Sequence, residues 1–132
     1  MRKHMMLWGA GLLLAFLTPL AAHHSFDAEF DRNKPITLTG TVTKVEWMNP
    51  HIWIYMEVKG DDGKTAQWQF EGGPPNALRR NGWGPKSVQV GDMLTIDGTL
   101  AKDGSNTVNS RSVTLSNGKR LLAGSSEGNP RE

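Results

Sequence analysis

Apolar side chains alternate with polar ones along most of this chain, at the two-residue period of strands that bury one face. Ile36, Leu38, Gly40 and Val42 share one parity, with threonines between them. Val45 and Trp47 take the opposite parity, so the pattern predicts a bulge or sharp bend near Thr43-Lys44, with Gly40 easing close backbone approach. A second strand, Ile52 to Val58, places Ile52, Ile54, Met56 and Val58 on one face and Trp53 and Tyr55 on the other. Ala66, Trp68 and Phe70 predict a third strand, and Leu94, Ile96, Gly98 and Leu100 a fourth. The fifth runs from Thr107 to Leu115 with a change of parity between Val108 and Val113, and a short sixth segment spans Arg120 to Ala123.

The connections agree with this reading. Gly60-Asp61-Asp62-Gly63 is a hairpin turn, because glycine and aspartate tolerate the backbone angles of tight turns. Pro74-Pro75 ends the third strand; Asn76 is expected to cap a short helix through Arg80, closed by Gly82. Turns follow at Val90-Gly91-Asp92, Lys102 to Asn106 and Asn117-Gly118. Ahead of the strands, Phe26 and Phe30 stand four apart, a spacing that suits one turn of helix packed on a sheet; alternation of Phe26, Ala28 and Phe30 equally suits an extended arm. Three strands, a helix and two more strands, two of them bent, predict an all-β fold. The expected form is a small five- to six-stranded OB-like barrel with one short helix between strands three and four. A small sandwich is the competing arrangement, made less natural by that helix. A barrel also leaves no exposed sheet edge.

The first residues read differently. Arg2 and Lys3 precede the apolar stretch Leu7 to Leu17, and Thr18-Pro19-Leu20-Ala21-Ala22 follows. This order predicts a secretory signal peptide over residues 1–22, an OB-like domain over 23–124 and a flexible tail over 125–132. The alternative, a membrane anchor, needs about 20 apolar residues, and Pro19 and His23 stop the run early. The expected location is therefore periplasmic or secreted, with no stable membrane insertion after cleavage.

Cleavage also alters the charge. The signal holds two basic residues and no acid, so the remainder carries 15−2=13 basic against 13 acidic residues. The sequence pI of about 9.1 thus reflects the export signal. A nucleic-acid partner is not expected, since phosphate neutralisation needs a basic patch and Lys and Arg are scattered apart from Arg79-Arg80. The absence of cysteine excludes disulfide staples, thiolate metal sites and thiol redox chemistry.

After His4 leaves with the signal, the histidines are His23, His24 and His51. A free α-amino group has a pKa of roughly 7.7–8, so its neutral, metal-binding form is accessible near neutral pH. Cleavage after Ala22 makes His23 the first residue, able to chelate through amine and ring, with His51 as a second ring: a histidine brace. Cleavage after Ala21 or after Leu20 puts a histidine third, a position that suits square-planar copper(II) or nickel(II) with the amine and two backbone nitrogens. Each register suits copper, which tops the affinity order for divalent metals. Against this stands adventitious binding by an exposed terminal His-His pair.

His51 lies in Trp47-Met48-Asn49-Pro50-His51, between strands one and two, where Asn-Pro marks a turn and the loop borders the face OB-type folds use for ligands. Asn49 is a candidate to orient the ring, and Met48 offers a soft thioether. Trp53 and Tyr55, with Asn49 and Met48, are the expected ligand groove. No carboxylate pair has spacing that identifies acid–base catalysis, and neither a nucleophile elbow nor a phosphate loop occurs. Hydrolase chemistry is unsupported.

His23-His24-Ser25-Phe26, Leu38-Thr39-Gly40-Thr41-Val42, Trp47-Met48-Asn49-Pro50-His51, Pro75-Asn76-Ala77-Leu78 with Gly82-Trp83, and Val90-Gly91-Asp92 resemble the domain-of-unknown-function 6152 family of small exported bacterial proteins. The resemblance runs from His23 to about Gly124. It implies export and no particular activity, and it brings no catalytic residues. Three functions follow as expectations: an exported copper-binding module using His23, His24 and His51; a metal-independent ligand- or protein-interaction module using the Trp53/Tyr55 groove; and a copper-dependent oxidase or oxygenase. A binder is preferred over an enzyme, because ligands are visible and a reaction apparatus is not.

Overall fold

In the computed structural model, which describes residues 26–124, the alternating segments close into a ring. The strands are β1 (Phe30–Glu46), β2 (Trp53–Lys59), β3 (Thr65–Glu71), β4 (Met93–Ala101), β5 (Thr107–Leu115) and β6 (Arg120–Leu122), with helix α1 (Pro75–Arg80) between β3 and β4. The expected signal over 1–22, His23, His24 and the tail over 125–132 lie outside the described residues. β1 pairs antiparallel with both β2 and β4, β2 with β3, and β4 with β5. A parallel pairing of Gln69, Phe70 and Glu71 with Thr107, Val108 and Asn109 completes the circuit. The order β1–β2–β3–β5–β4 and back to β1 is the OB-like order, and β6 extends it along β5.

One long strand serves two neighbours because it bends where its parity slips. The β1–β2 register shifts between Val42 and Lys44, which leaves Thr43 as the extra residue of a bulge. The turn before β4 fits this bend: Gly91 N donates to Val42 O and Val42 N donates to Asp92 O, both at 2.8 Å. Gly40 permits the approach of β2, since a Cβ there would stand 2.4 Å from Glu57 O. The second slip is also a bulge. Asp97 faces Ser112 but Gly98 faces Ser110, so Arg111 is the extra residue.

Inside the ring, Val42, Ile54, Met56, Phe70, Leu94, Ile96, Val108 and Val113 are buried, and Leu78, Trp83 and Val88 from α1 and the loop after it join the same cluster. Trp83 is fixed by its indole N–H, which donates to Leu122 O at 2.9 Å. Helix α1 differs from expectation at its start. Pro74, extended at φ −66°, ψ 149°, takes the cap position with no side-chain cap bond, and Pro75 is the first helical residue. Asn76 therefore lies inside the first turn rather than capping it. Proline is suited to this place, because the amide hydrogen it lacks would have no partner there. Gly82, at φ 87°, follows the helix as expected.

β1 also begins five residues before Pro35, where the alternation starts. Residues 26–29 form a turn of helix, after which Phe30 pairs with Ala101. Phe26 and Phe30 stack with ring centres 5.4 Å apart and form a small buried cluster with Ala101. The Arg32 guanidinium sits 4.6 Å over the Phe26 ring and pairs with Asp27 at 2.5 Å. Lys102 holds the turn from the other side: its backbone N donates to Glu29 O at 2.9 Å, and its Nζ donates to Asp27 O. Among the described residues, no helix is long and apolar enough to cross a membrane.

On the outer face, Asp97 ties three strands. It accepts from Thr37 Oγ1 at 2.6 Å and Ser112 Oγ at 3.0 Å. The Thr37 bond is the main reason its pKa falls below the ordinary aspartate value; burial opposes this, while Ser112, Arg120 and Arg111 add to it. A carboxylate with a lowered folded-state pKa contributes stability above its unfolded pKa and loses it as pH falls through the folded one. Asp97→Asn should therefore cost about 0.5–1.5 kcal/mol near neutral pH. It should also flatten the loss of stability seen in urea melts below about pH 4. Phe70→Ala, at a residue with no exposed surface, should cost about 3–5 kcal/mol in the same melts, because it empties the centre of the ring at its closing strand.

Candidate functional site

The loop between β1 and β2 is drawn against the end of β3 by two backbone bonds. Ile52 N donates to Gly73 O at 3.2 Å and Gly72 N donates to Ile52 O at 2.9 Å. The crossing is tight enough that a Cβ on Gly72 would lie 2.7 Å from Ile52 Cγ1. Residues on either side of it, His51 and Glu71, are thereby brought together. The Asn49-Pro50 peptide in this loop is cis.

His51 Nδ1 lies 2.6 Å from Glu71 Oε1, with the histidine side chain 40% exposed and the glutamate side chain 10% exposed. Phe70 points into the core, so the strand period turns Glu71 to the outer face; yet Glu71 is buried there. Burial pushes its carboxyl above the ordinary glutamate value; attraction from His51 opposes this, Glu29 adds to it, and hydrogen bonds from Asn109 and His51 pull it back only in part. Glu29 belongs to the N-terminal turn, and its charge acts on Glu71 through space.

Asn109 faces Glu71 across the parallel pairing of β3 and β5. Its side chain bonds the carboxylate, which requires the amide NH₂ to be the group presented. Its Oδ1 is then buried without a hydrogen-bond partner among the described residues. Turning the amide over would set oxygen against oxygen, so the carboxylate determines the orientation. Glu71 is consequently held between an amide from β5 and an imidazole from the β1–β2 loop.

The chemical result is a histidine with one nitrogen committed. A carboxylate at Nδ1 places the proton on that atom and leaves Nε2 as the lone-pair donor on the ring. This is the arrangement in which an outer carboxylate fixes a metal-binding imidazole. Among the described residues there is no group of three or more His, Asp or Glu able to hold a metal ion. A complete metal site would need donors beyond His51 and Glu71.

The expected groove residues separate. Trp53 is in register with Glu46 on one side and Glu71 on the other, which brings it alongside the His51–Glu71 pair. Tyr55 is engaged elsewhere: its hydroxyl donates to Glu46 Oε2 at 3.1 Å, and Lys44 Nζ lies 5.1 Å from its ring centre. Burial is the main reason the Tyr55 hydroxyl pKa is raised, with Glu46 adding to it. Met48 and Asn49 are exposed in the loop before His51. The group that meets His51 Nδ1 is the Glu71 carboxylate, the role that sequence reasoning assigned to Asn49. Glu71 and Asn109 were missed as site residues. The signal that reveals them is topological, because closing an OB-like ring sets the end of strand three beside the start of strand five.

Glu71→Gln should keep the fold and unfix the ring. Long-range proton–nitrogen spectra of wild-type His51, recorded at a pH where the ring is neutral, should show its proton on Nδ1. The variant should show a mixture of tautomers, since an amide can accept from or donate to the ring. Glu71→Ala should cost about 1–3 kcal/mol, the penalty for leaving the Asn109 amide buried without its acceptor. Denaturant melts measure that loss, and an unchanged His51 spectrum in both variants would contradict the tether.

A comparison with curated proteins finds no match. A protein-family profile described as a family of unknown function, DUF6152, matches residues 12–110. That match covers most of the chain, including the N-terminal turn, the β1–β2 loop with His51, β3 with Glu71, and the start of β5 with Asn109. The chain belongs to the DUF6152 family.

Proposed function

We propose that this is an exported binding protein that holds copper(II) between its processed N-terminus and His51. The observation that carries this reading is the 2.6 Å contact between His51 Nδ1 and the buried Glu71, which reserves Nε2 of a half-exposed ring for an outside partner. Carboxylate–imidazole pairs of this kind raise ligand basicity and fix ring direction in metal sites. The remaining nitrogen donors are assigned to His23 and its α-amine, or to His24, depending on where the signal is cut. Two residues, His24 and Ser25, lie between His23 and Phe26, and three peptide steps reach at most about 11 Å. The turn that Phe26 starts carries Glu29, whose charge acts on Glu71. Nitrogen donors without thiolate suit copper(II) among the divalent metals.

In this reading Glu71 is the base that keeps the Nδ1 proton in place and Asn109 keeps Glu71 in place. Binding requires the amine to lose its proton, so affinity increases with pH up to the range of the α-amino group, roughly 7.7–8. Trp53, beside the pair, supplies an apolar flank and an intrinsic fluorescence reporter.

Mass spectrometry of the secreted protein fixes the terminus, and copper titration followed by Trp fluorescence and electron paramagnetic resonance reads the site. The processed protein should bind one copper, His51→Ala should lose the ring nitrogen from the spectrum, and Glu71→Gln should weaken binding by about 10–100-fold. A version with an added N-terminal Met should bind markedly less tightly. Equal affinity with and without the added Met, or an unchanged spectrum in His51→Ala, would sink the proposal.

A further inference from the structure

The row of outward side chains that crosses the ring closure is buried, although it lies outside the ring. Thr99 faces Asn109 across β4 and β5, and Asn109 faces Glu71 across β5 and β3. Their exposures are 1%, 3% and 8%. An outer sheet face stays this dry only under a cover. Ala101, two residues beyond Thr99 and so on the same face, shows where the cover begins. It pairs with Phe30 and is buried with Phe26 and Phe30.

The N-terminal turn is joined to the ring differently from the strands. Between the Phe30–Ala101 and Pro35–Thr99 pairings, four residues of β1 stand against Leu100 alone. These four, Asp31 to Lys34, loop out of the ladder. Within the loop, Asn33 N donates to Asp31 Oδ1 at 3.0 Å, and Lys34 Nζ lies 3.8 Å from Asp31 Oδ2. Phe26, Phe30 and Ala101 form a cluster apart from the main core. Lys102 supplies polar ties, from its backbone N to Glu29 O at 2.9 Å and from Nζ to Asp27 O. Elements with few buried contacts open at lower free energy than the core they rest on. The closed state also leaves Asn109 Oδ1 buried without a hydrogen-bond partner among the described residues, a cost that water relieves when the cover lifts.

We propose that residues 26–30 form a strap that covers the Thr99–Asn109–Glu71 row and opens as a unit about the hinge 31–34 while the ring stays closed. Opening wets the row and releases the chain that leads to the N-terminus. One consequence rests on the copper reading above. The α-amine lies before the strap and His51 belongs to the ring, so copper held by both favours the closed strap. By reciprocity, a loosened strap binds copper less tightly.

Amide hydrogen exchange on the processed, metal-free protein tests the strap without copper. The Lys102 amide, bonded to Glu29 O, reports the strap; the Gln69 amide, bonded to Asn106 O at 3.0 Å, reports ring closure. Lys102 exchange should change little with low urea, whereas Gln69 exchange should rise steeply, since the denaturant slope follows the surface exposed. Arg32→Ala removes the cation over Phe26 and the pair with Asp27, and should speed Lys102 exchange about two- to fivefold. The double variant Phe26→Ala/Phe30→Ala should strip Lys102 of protection while Gln69 stays protected. Equal urea slopes for the two amides, Lys102 exchange unmoved by Arg32→Ala, or loss of Gln69 protection in the double variant would each overturn the strap. With copper added, wild-type Lys102 exchange should slow, and the double variant should bind copper at least about tenfold more weakly. Copper bound through His51 with no effect on Lys102 would overturn the coupling. Copper that leaves His51 unbound refutes the copper reading, while the metal-free measurements still decide the strap.

Discussion

The parallel pairing of Gln69–Glu71 with Thr107–Asn109 is the contact on which the architecture depends. Every other strand pair joins segments that a linear antiparallel sheet would also contain. This one joins the two ends of that sheet. Parallel pairing is slightly weaker per residue than antiparallel, and here it is three residues long. Its strength comes from what alternation puts on its two faces. Phe70 and Val108 point inward and have no exposed surface; Glu71 and Asn109 point outward and bond to one another. Core and candidate site are thus opposite faces of a single closure.

That arrangement explains how a carboxylate is tolerated in a nearly buried place. Taking a charge out of water costs several kcal/mol unless partners compensate, and the raised pKa of Glu71 records the cost. The compensation is directional: an amide from β5 on one side and an imidazole on the other. Removing either partner leaves the carboxylate uncompensated, which costs more than never having buried it. Such a group adds little net stability but fixes geometry, and what it fixes here is the orientation of His51.

Local pattern made much of the fold legible. Parity in Ile36–Val42 and Val45–Trp47 located the β1 bulge, and parity in Val108 and Val113 located the β5 bulge, because each side chain reports its own face. The turns were equally plain, since glycine and aspartate mark them directly. What the pattern missed depends on partners distant in sequence. Asp31 to Lys34 read as polar and charged, and the strand reaches back through them to Phe30, which pairs with Ala101. Asn76 looked like a cap because its side chain is suited to one, but two preceding prolines had already set the helix start. The site was half legible: histidine chemistry pointed to His51, whereas Glu71 and Asn109 are 38 residues apart and carry no local mark. Their meeting is a property of ring closure.

The N-terminal turn gives the proposed copper site its physical plausibility. A terminal amine on a long free arm pays ordering entropy when it binds, and that cost grows with the length of chain to be fixed. Here the chain is anchored by Phe26: its ring is buried with Phe30, covered by Arg32, and the turn is held by Lys102 through two backbone carbonyls. Only the residues before Phe26 then have to be ordered around a metal. His51 has been ordered in advance by Glu71, so one donor is preorganised and the others are close to an anchor, which lowers the entropic cost of binding. In the proposed site, export processing would create the amine, and folding supplies a His51 ring already held by Glu71.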